Sequence, residues 1–92
     1  MIAKQAERLL LSGNLTMATV PALYKAGLQS LTEGDLLVDM AQVASVDSAA
    51  VSMLLAWSRA AQARQRIFRV ENIPADLLSL ANLYGVAEML PQ

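Results

Sequence analysis

Asp47 and Ser48 stand side by side in "VASVDSAAVSMLL" (43–55), a segment that begins like the end of a buried strand and finishes like an amphipathic helix. A carboxylate beside a hydroxyl at such a junction admits three readings: a nucleophile site, a phosphorylation switch or a helix cap. The chain contains no histidine and no cysteine. That removes imidazole bases, thiolate nucleophiles, disulfides and the common zinc ligand sets. Hydrolytic or metal chemistry would fall to carboxylates, hydroxyls and two lysines, Lys4 and Lys25. Ser48 has no visible base, so the expectation is a protein that is not an enzyme, with no catalytic residue, no cofactor and no metal. Asp or Ser at an N-cap bonds the free amides of a helix's first turn and contributes about 1 kcal/mol, which by itself accounts for the residue type. A hydroxyl at a helix N-terminus is also a place where the dipole favours a phosphate and where added charge would block a neighbouring interface. Ser48 is therefore a candidate phosphorylation site as well.

The elements that must hold this junction are short. At 92 residues the chain reads as one domain over 1–92, large enough to bury roughly 60–65% of the surface of its unfolded form. Hydrophobic residues make up 55% and charged residues 16%, too apolar for a disordered chain. The longest apolar runs fall far short of the roughly 20 residues that cross a bilayer, and "MIAKQAERLLLSGNLT" meets a turn where a signal peptide would place its cleavage site. No direct membrane insertion is expected. The net charge of −1 provides no general drive toward nucleic acid or anionic lipid. Four of the five arginines (Arg59, Arg64, Arg66 and Arg69) do cluster. They suit a solvated helix end and strand face, since no aromatic residues interleave for base stacking.

Along the chain, "RLLLS" (8–12) followed by Gly13-Asn14 predicts a hairpin turn, with "LTMATV" returning as a second short strand. Thr19 as cap and Pro21 in the first turn open a helix over 20–31. "DLLVDMAQV" (35–43) reads as the central strand, covered on both faces, with Asp39 turned to solvent or capping a loop. A long helix follows from Asp47 to about Gln65, then a strand at "IFRVEN" (67–72), which together make a βαβ unit with parallel strands. Pro74 opens a last helix that Gly85 closes, or Asn72 caps it and moves its start by two residues. "VAEMLPQ" (86–92) adds an edge strand or a tail packed on the sheet.

On the long helix, a spacing of 100° per residue places Val51, Leu54, Leu55, Ser58 and Ala61 on one stripe, assigned to the sheet. Met53, Trp57 and Ala60 fall on the opposite stripe. Met53 and Trp57, spaced i, i+4, would then form an apolar patch on the outside, and Trp and Met are enriched at protein interfaces. A patch of this kind on a small domain points to a partner. The competing account is that the C-terminal segment with Met89 and Leu90 folds back over it.

An N-terminal hairpin and helix, the strand "LLVDMAQV", the junction "VDSAAVSMLL" leading into a long helix, a strand, and a helix carrying "LANLYGV" together resemble the STAS domain family, over essentially the whole chain. The likeness is greatest to its MlaB branch, small STAS subunits of phospholipid-transport ABC complexes, which "LANLYGVAEMLPQ" follows from Leu80 to Pro91. In the anti-anti-sigma branch the phosphorylated serine is typically the second residue after the Asp, and here that position is Ala49. Ser48 keeps a hydroxyl at the first position, matching a threonine of the MlaB type. The glycine usual at the next position is Ala50. The resemblance implies an α/β STAS-like fold, with a four- or five-stranded mixed β-sheet covered by three or four α-helices. It also implies a regulatory subunit that binds the ABC transporter ATPase subunit (MlaF-like), within a complex that includes permease and lipid-binding subunits. Such a subunit is cytoplasmic, peripheral to the inner membrane, and serves phospholipid transport that maintains outer-membrane lipid asymmetry. The expected partner-binding residues are Asp47, Ser48, Ala49, Ser52, Met53 and Trp57. The alternative implied by the same family is an anti-sigma factor antagonist controlled by serine phosphorylation.

Overall fold

The structure, a computed structural model, describes residues 2–5 and 8–86. The elements are β1 (Ile2–Gln5), β2 (Arg8–Leu15), α1 (Val20–Glu33), β3 (Leu36–Val46), α2 (Ser48–Ala63), β4 (Phe68–Glu71) and α3 (Ala75–Leu83). The sheet runs β1-β2-β3-β4. β1 pairs with β2 antiparallel, and β2, β3 and β4 are mutually parallel, so the mixed α/β sheet is built from two βαβ crossovers. Three helices and four strands are the full set among the described residues.

The hairpin lies one strand earlier than the sequence suggests. Gly13-Asn14 makes no turn, and β2 runs straight through it. Gly13 adopts φ +78, open to glycine at no steric cost, but the conformation serves a bulge. Between β2 and β3 the register shifts twice, around Leu10/Ser12 and Gly13/Asn14, and β3 gains an extra residue each time. A positive-φ glycine within a strand pattern carries this alternative meaning. The extra residues let β3 reach Val46, three positions beyond the expected end, so that it finishes level with Leu15.

Strand alternation sorts the sheet into one covered and one open face. Leu9, Val38 and Val70 lie in one register row, with Leu36 and Phe68 in the next, and all five are buried. The residues between them, Arg8, Leu10, Leu37, Asp39, Arg69 and Glu71, are half-buried or exposed. All three helices contribute to the core on the first face, through Leu23 and Leu31 of α1, Val51 and Leu54 of α2, and Leu77 and Ala81 of α3. Among the described residues, the central strand is therefore covered on one face only. Its apolar run LLV reflects Leu37, half-buried on the open side, and not a second layer of helices. Asp39 lies on that open face and is engaged there: its side chain accepts from Ala41 N–H at 2.9 Å and from the Asn72 amide at 3.0 Å. Arg8 lies 3.7 Å from Asp39 and 3.3 Å from Glu71.

α2 closes with the Arg66 N–H on the Ala61 carbonyl (2.8 Å) and the Gln65 N–H on that of Gln62 (3.2 Å). Gln65 takes the left-handed conformation (φ 55) that this motif requires. α3 ends in the same way, with Gly85 in the left-handed position as the sequence predicts. The expected strand or tail beyond Val86 lies outside the described residues, as do Met89 and Leu90.

Candidate functional site

Parallel strands deliver their C-terminal ends, and the helices that follow, to the same edge of the sheet, which is where open α/β sheets usually meet ligands and partners. Here the ends of β2 and β3 lead into the N-termini of α1 and α2. Asp47 ties the two together. Its Oδ1 accepts from the Ala49 N–H at 2.8 Å, capping α2, and its Oδ2 accepts from the Met17 N–H at 3.2 Å. The Asp47 N–H donates to the Leu15 carbonyl at 3.0 Å. The cap expected from sequence is thus present, and the same carboxylate also latches the loop that precedes α1.

That loop is built from hydroxyl contacts. Thr19 Oγ1 donates to the Asn14 carbonyl at 2.7 Å and accepts from the Thr16 N–H at 2.9 Å. Thr19 occupies the N-cap position of α1, yet its side chain reaches back into the loop and does not bond the helix amides. Ser45 Oγ donates to Asn14 Oδ1 at 2.7 Å, joining the ends of β2 and β3 side by side. The consequence is a firmly held loop that displays Met17, 76% exposed, next to the start of α2.

Of the sequence-predicted site residues, Asp47 and Ala49 are half-buried, and Ser48 and Ser52 are exposed one turn apart on the same side of α2. Met53 and Trp57 are corrected: they are core residues, 2% and 0% exposed, and offer no surface patch. α2 has two buried sides because it packs on the sheet and also along α1. Trp57 fills the second junction. Its indole N–H donates to the Tyr24 carbonyl at 3.0 Å, and its ring meets Phe68 edge-on at 5.9 Å between centroids. α1 comes this close because residue 27 is glycine, where a Cβ would fall about 2.2 Å from the Trp57 ring. The cover over Trp57 is therefore α1. The signal for it is the glycine in the middle of an otherwise regular helix, a position that costs stability unless packing demands it. Met17 escapes a sequence reading because residues 15–20 resemble a returning strand. The Thr16-x-x-Thr19 pair just before Val20-Pro21 is the local sign of a turn.

The surface at this end is small, neutral in character and rich in hydroxyls: Thr16, Met17, Ala18, Ser48 and Ser52 surround the capped α2 terminus. Among the described residues no group of three potential His, Cys, Asp or Glu ligands comes together. No helix among them is long and apolar enough to cross a membrane. The clustered arginines sit elsewhere: Arg59, Arg64 and Arg66 toward the α2 C-terminus, and Arg69 on the open face of β4, all exposed. Arg64 Nη1 donates to the Ala60 carbonyl at 3.2 Å.

The family model described as "Mlab, STAS domain" matches residues 2–91. The chain belongs to this STAS family. No curated protein matches the chain by sequence. Solved STAS-fold structures resemble it at low identity. The anti-sigma factor antagonist SpoIIAA in its unphosphorylated form has a TM-score of 0.75 at 13% identity, covering 96% of this chain and 82% of that one. A Thermotoga maritima protein provisionally described as an anti-sigma factor antagonist gives 0.77 at 11% identity, covering 99% and 82%. The Bacillus cell fate determinant SpoIIAA in its phosphorylated form gives 0.71 at 14% identity, covering 96% and 85%. Likeness at this level of identity establishes the STAS fold of the chain.

Proposed function

We propose that this STAS domain is a non-enzymatic regulatory subunit that binds the ATPase of an inner-membrane phospholipid-transport ABC complex. It would sit on the cytoplasmic side of that membrane, supporting the assembly and activity of the ATPase and thereby outer-membrane lipid asymmetry. The observation that carries the reading is the surface at the start of α2. Ser48 is exposed, Asp47 holds it in register with an exposed Met17, and the family model that spans 2–91 is the MlaB type. Ser48 and Ser52 supply hydrogen bonds to the partner, and Met17 supplies the apolar contact first expected of Met53 and Trp57. A methionine on a fixed loop is suited to this, being flexible and polarizable enough to fill an irregular pocket.

Co-purification with the ATPase of a phospholipid-transport ABC complex from the same cell tests the reading. Ser48→Arg should abolish co-purification while leaving circular dichroism and melting temperature nearly unchanged, because the side chain points to solvent. Full retention of the ATPase by a folded Ser48→Arg variant would remove this surface from consideration.

The second reading, an anti-sigma factor antagonist, takes support from the antagonists among the similar structures and from the exposed hydroxyl of Ser48. Against it, the second residue after Asp47 is Ala49, half-buried and without a hydroxyl. Stoichiometric phosphate on Ser48 after incubation with a cognate kinase, read by mass spectrometry, would favour the antagonist.

A further inference from the structure

The chain has five methionines and no cysteine, so thioethers are the sulfur groups it offers to an oxidant. Among the described residues, Met40 and Met53 lie in the core at 1% and 2% exposed, and Met17 stands at 76%. Access to a dissolved oxidant therefore differs sharply between them and favours Met17. The backbone that carries Met17 is tied down: its own N–H donates to Asp47 Oδ2 at 3.2 Å, and the Thr16 N–H donates to Thr19 Oγ1 at 2.9 Å. Ala18, Pro21 and Ala22 on the α1 side, with Ser48 and Ser52 on α2, are exposed and uncharged. On that surface the Met17 thioether is the largest apolar group.

We infer that Met17 is a peroxide-sensitive modification site whose sulfoxide weakens docking at the start of α2. The effect on docking rests on the function proposed above, in which Met17 makes the apolar contact. In the oxidation, the sulfur lone pair attacks one oxygen of hydrogen peroxide and the O–O bond breaks. The proton on the transferred oxygen passes to the departing hydroxide, so the products are methionine sulfoxide and water. Sulfur loses two electrons and the peroxide gains them. The product is polar and chiral where the thioether was flexible and apolar. An apolar pocket that accepts the thioether gives the new oxygen no hydrogen-bond donor, and burying it there without one is costly. A docked Met17 is covered, so the partner in turn shields it from peroxide. The change is reversible, because methionine sulfoxide reductases restore the thioether. Met40 and Met53, sealed in the core, keep the fold out of this chemistry.

The test treats the full chain with hydrogen peroxide over a time series, removes the peroxide, and maps the products by peptide mass spectrometry. Met17 should gain one oxygen well before Met40 and Met53 do, with circular dichroism and melting unchanged. Affinity of the treated chain for the ATPase of a phospholipid-transport ABC complex from the same cell should fall about tenfold and return after incubation with methionine sulfoxide reductase. Met17→Leu, which has no sulfur at this position, should bind equally before and after treatment, and this separates Met17 from Met1 and Met89. Three results would each overturn the inference and leave the proposed function standing: Met40 or Met53 oxidised as fast as Met17, a treated wild-type chain that binds as tightly as the untreated one, or a Met17→Leu variant that loses affinity on treatment. An untreated wild-type chain without affinity for the ATPase would overturn the proposed function and the effect on docking together.

Discussion

The two sides of α2 are built on opposite rules. One side carries Val51, Met53, Leu54, Trp57 and Ala61, none more than 3% exposed, wedged between the sheet and α1. The other carries Ser48, Ser52, Arg59 and Gln62 in solvent, with nothing among the described residues packed over them. Substitutions on the first side act on the fold, because protein interiors are packed too tightly to absorb a change of volume. Those on the second side act on whatever meets it. The sheet repeats the contrast, with a dry row of Leu9, Val38 and Val70 toward the helices and the charged pair Asp39 and Glu71 on the open face. A residue's chemical type alone does not reveal its side: tryptophan and methionine, typical of interfaces, form the core.

The largest effect tests the buried side. Trp57→Ala should cost about 3–5 kcal/mol in urea unfolding, since it empties the space between α1 and Phe68 and removes the indole bond to the Tyr24 carbonyl. Against a total stability of about 5–15 kcal/mol, that leaves little margin. Gly27→Val should unfold the chain outright, because the new Cβ would overlap the Trp57 ring from the backbone of α1. The pair Gly27→Ala with Trp57→Leu should recover part of the loss if the clash is the cause. A Gly27→Val variant with wild-type melting would break the comparison at its buried end.

Asp47 lies between the two sides, and its effect should be intermediate. Asp47→Ala removes both the α2 cap and the latch on Met17, and a loss of about 1–2 kcal/mol is expected from chemical denaturation. Asp47→Asn is more informative. Asn offers one acceptor oxygen where Asp offers two, so it can serve Ala49 or Met17 but not both. Melting should be nearly retained while the Met17 amide loses protection from hydrogen exchange. If Met17 stays protected, the loop is held by Thr16 and Thr19 alone and the latch is unnecessary.

Much of this fold is legible in the amino-acid sequence. The βαβ unit from Leu36 to Glu71, the cap at Asp47 and the exposure of Ser48 follow from local rules that tertiary contacts do not override. Two of the errors share one origin. Periodicity reports that a helix has an apolar stripe, but it does not say how many neighbours the helix has, and α2 meets α1 and α3 as well as the sheet. With α1 on its flank, a residue placed opposite the sheet becomes interior, and Met53 and Trp57 change roles together. The same limit explains the central strand, whose apolar run suggests two covered faces when the described helices cover one. Gly13-Asn14 fails differently: the dipeptide fits a hairpin and a bulge equally well, and only the pairing partner of β2 decides.

The smallest effect belongs to the open face of the sheet and depends on pH. The Asn72 amide bonded to the Asp39 carboxylate, followed by the Ala41 N–H, holds Asp39 below its ordinary value; desolvation opposes them, and the charge of Arg8 adds to the lowering. A carboxyl whose folded value lies below its unfolded one stabilises the fold once pH exceeds the unfolded value, and that contribution is lost as pH falls through the folded value. Wild-type stability should therefore decline below about pH 4 more steeply than that of Asp39→Asn, which has no proton to take up at this position. The two unfolding curves, measured by urea denaturation at each pH, should converge as the acid limb is descended. Parallel curves would mean that the bonds to Asn72 and Ala41 persist in the unfolded chain or contribute nothing. In that event the charged row on the open face would be as indifferent to the fold as Ser48, and the contrast between the two sides would hold without exception.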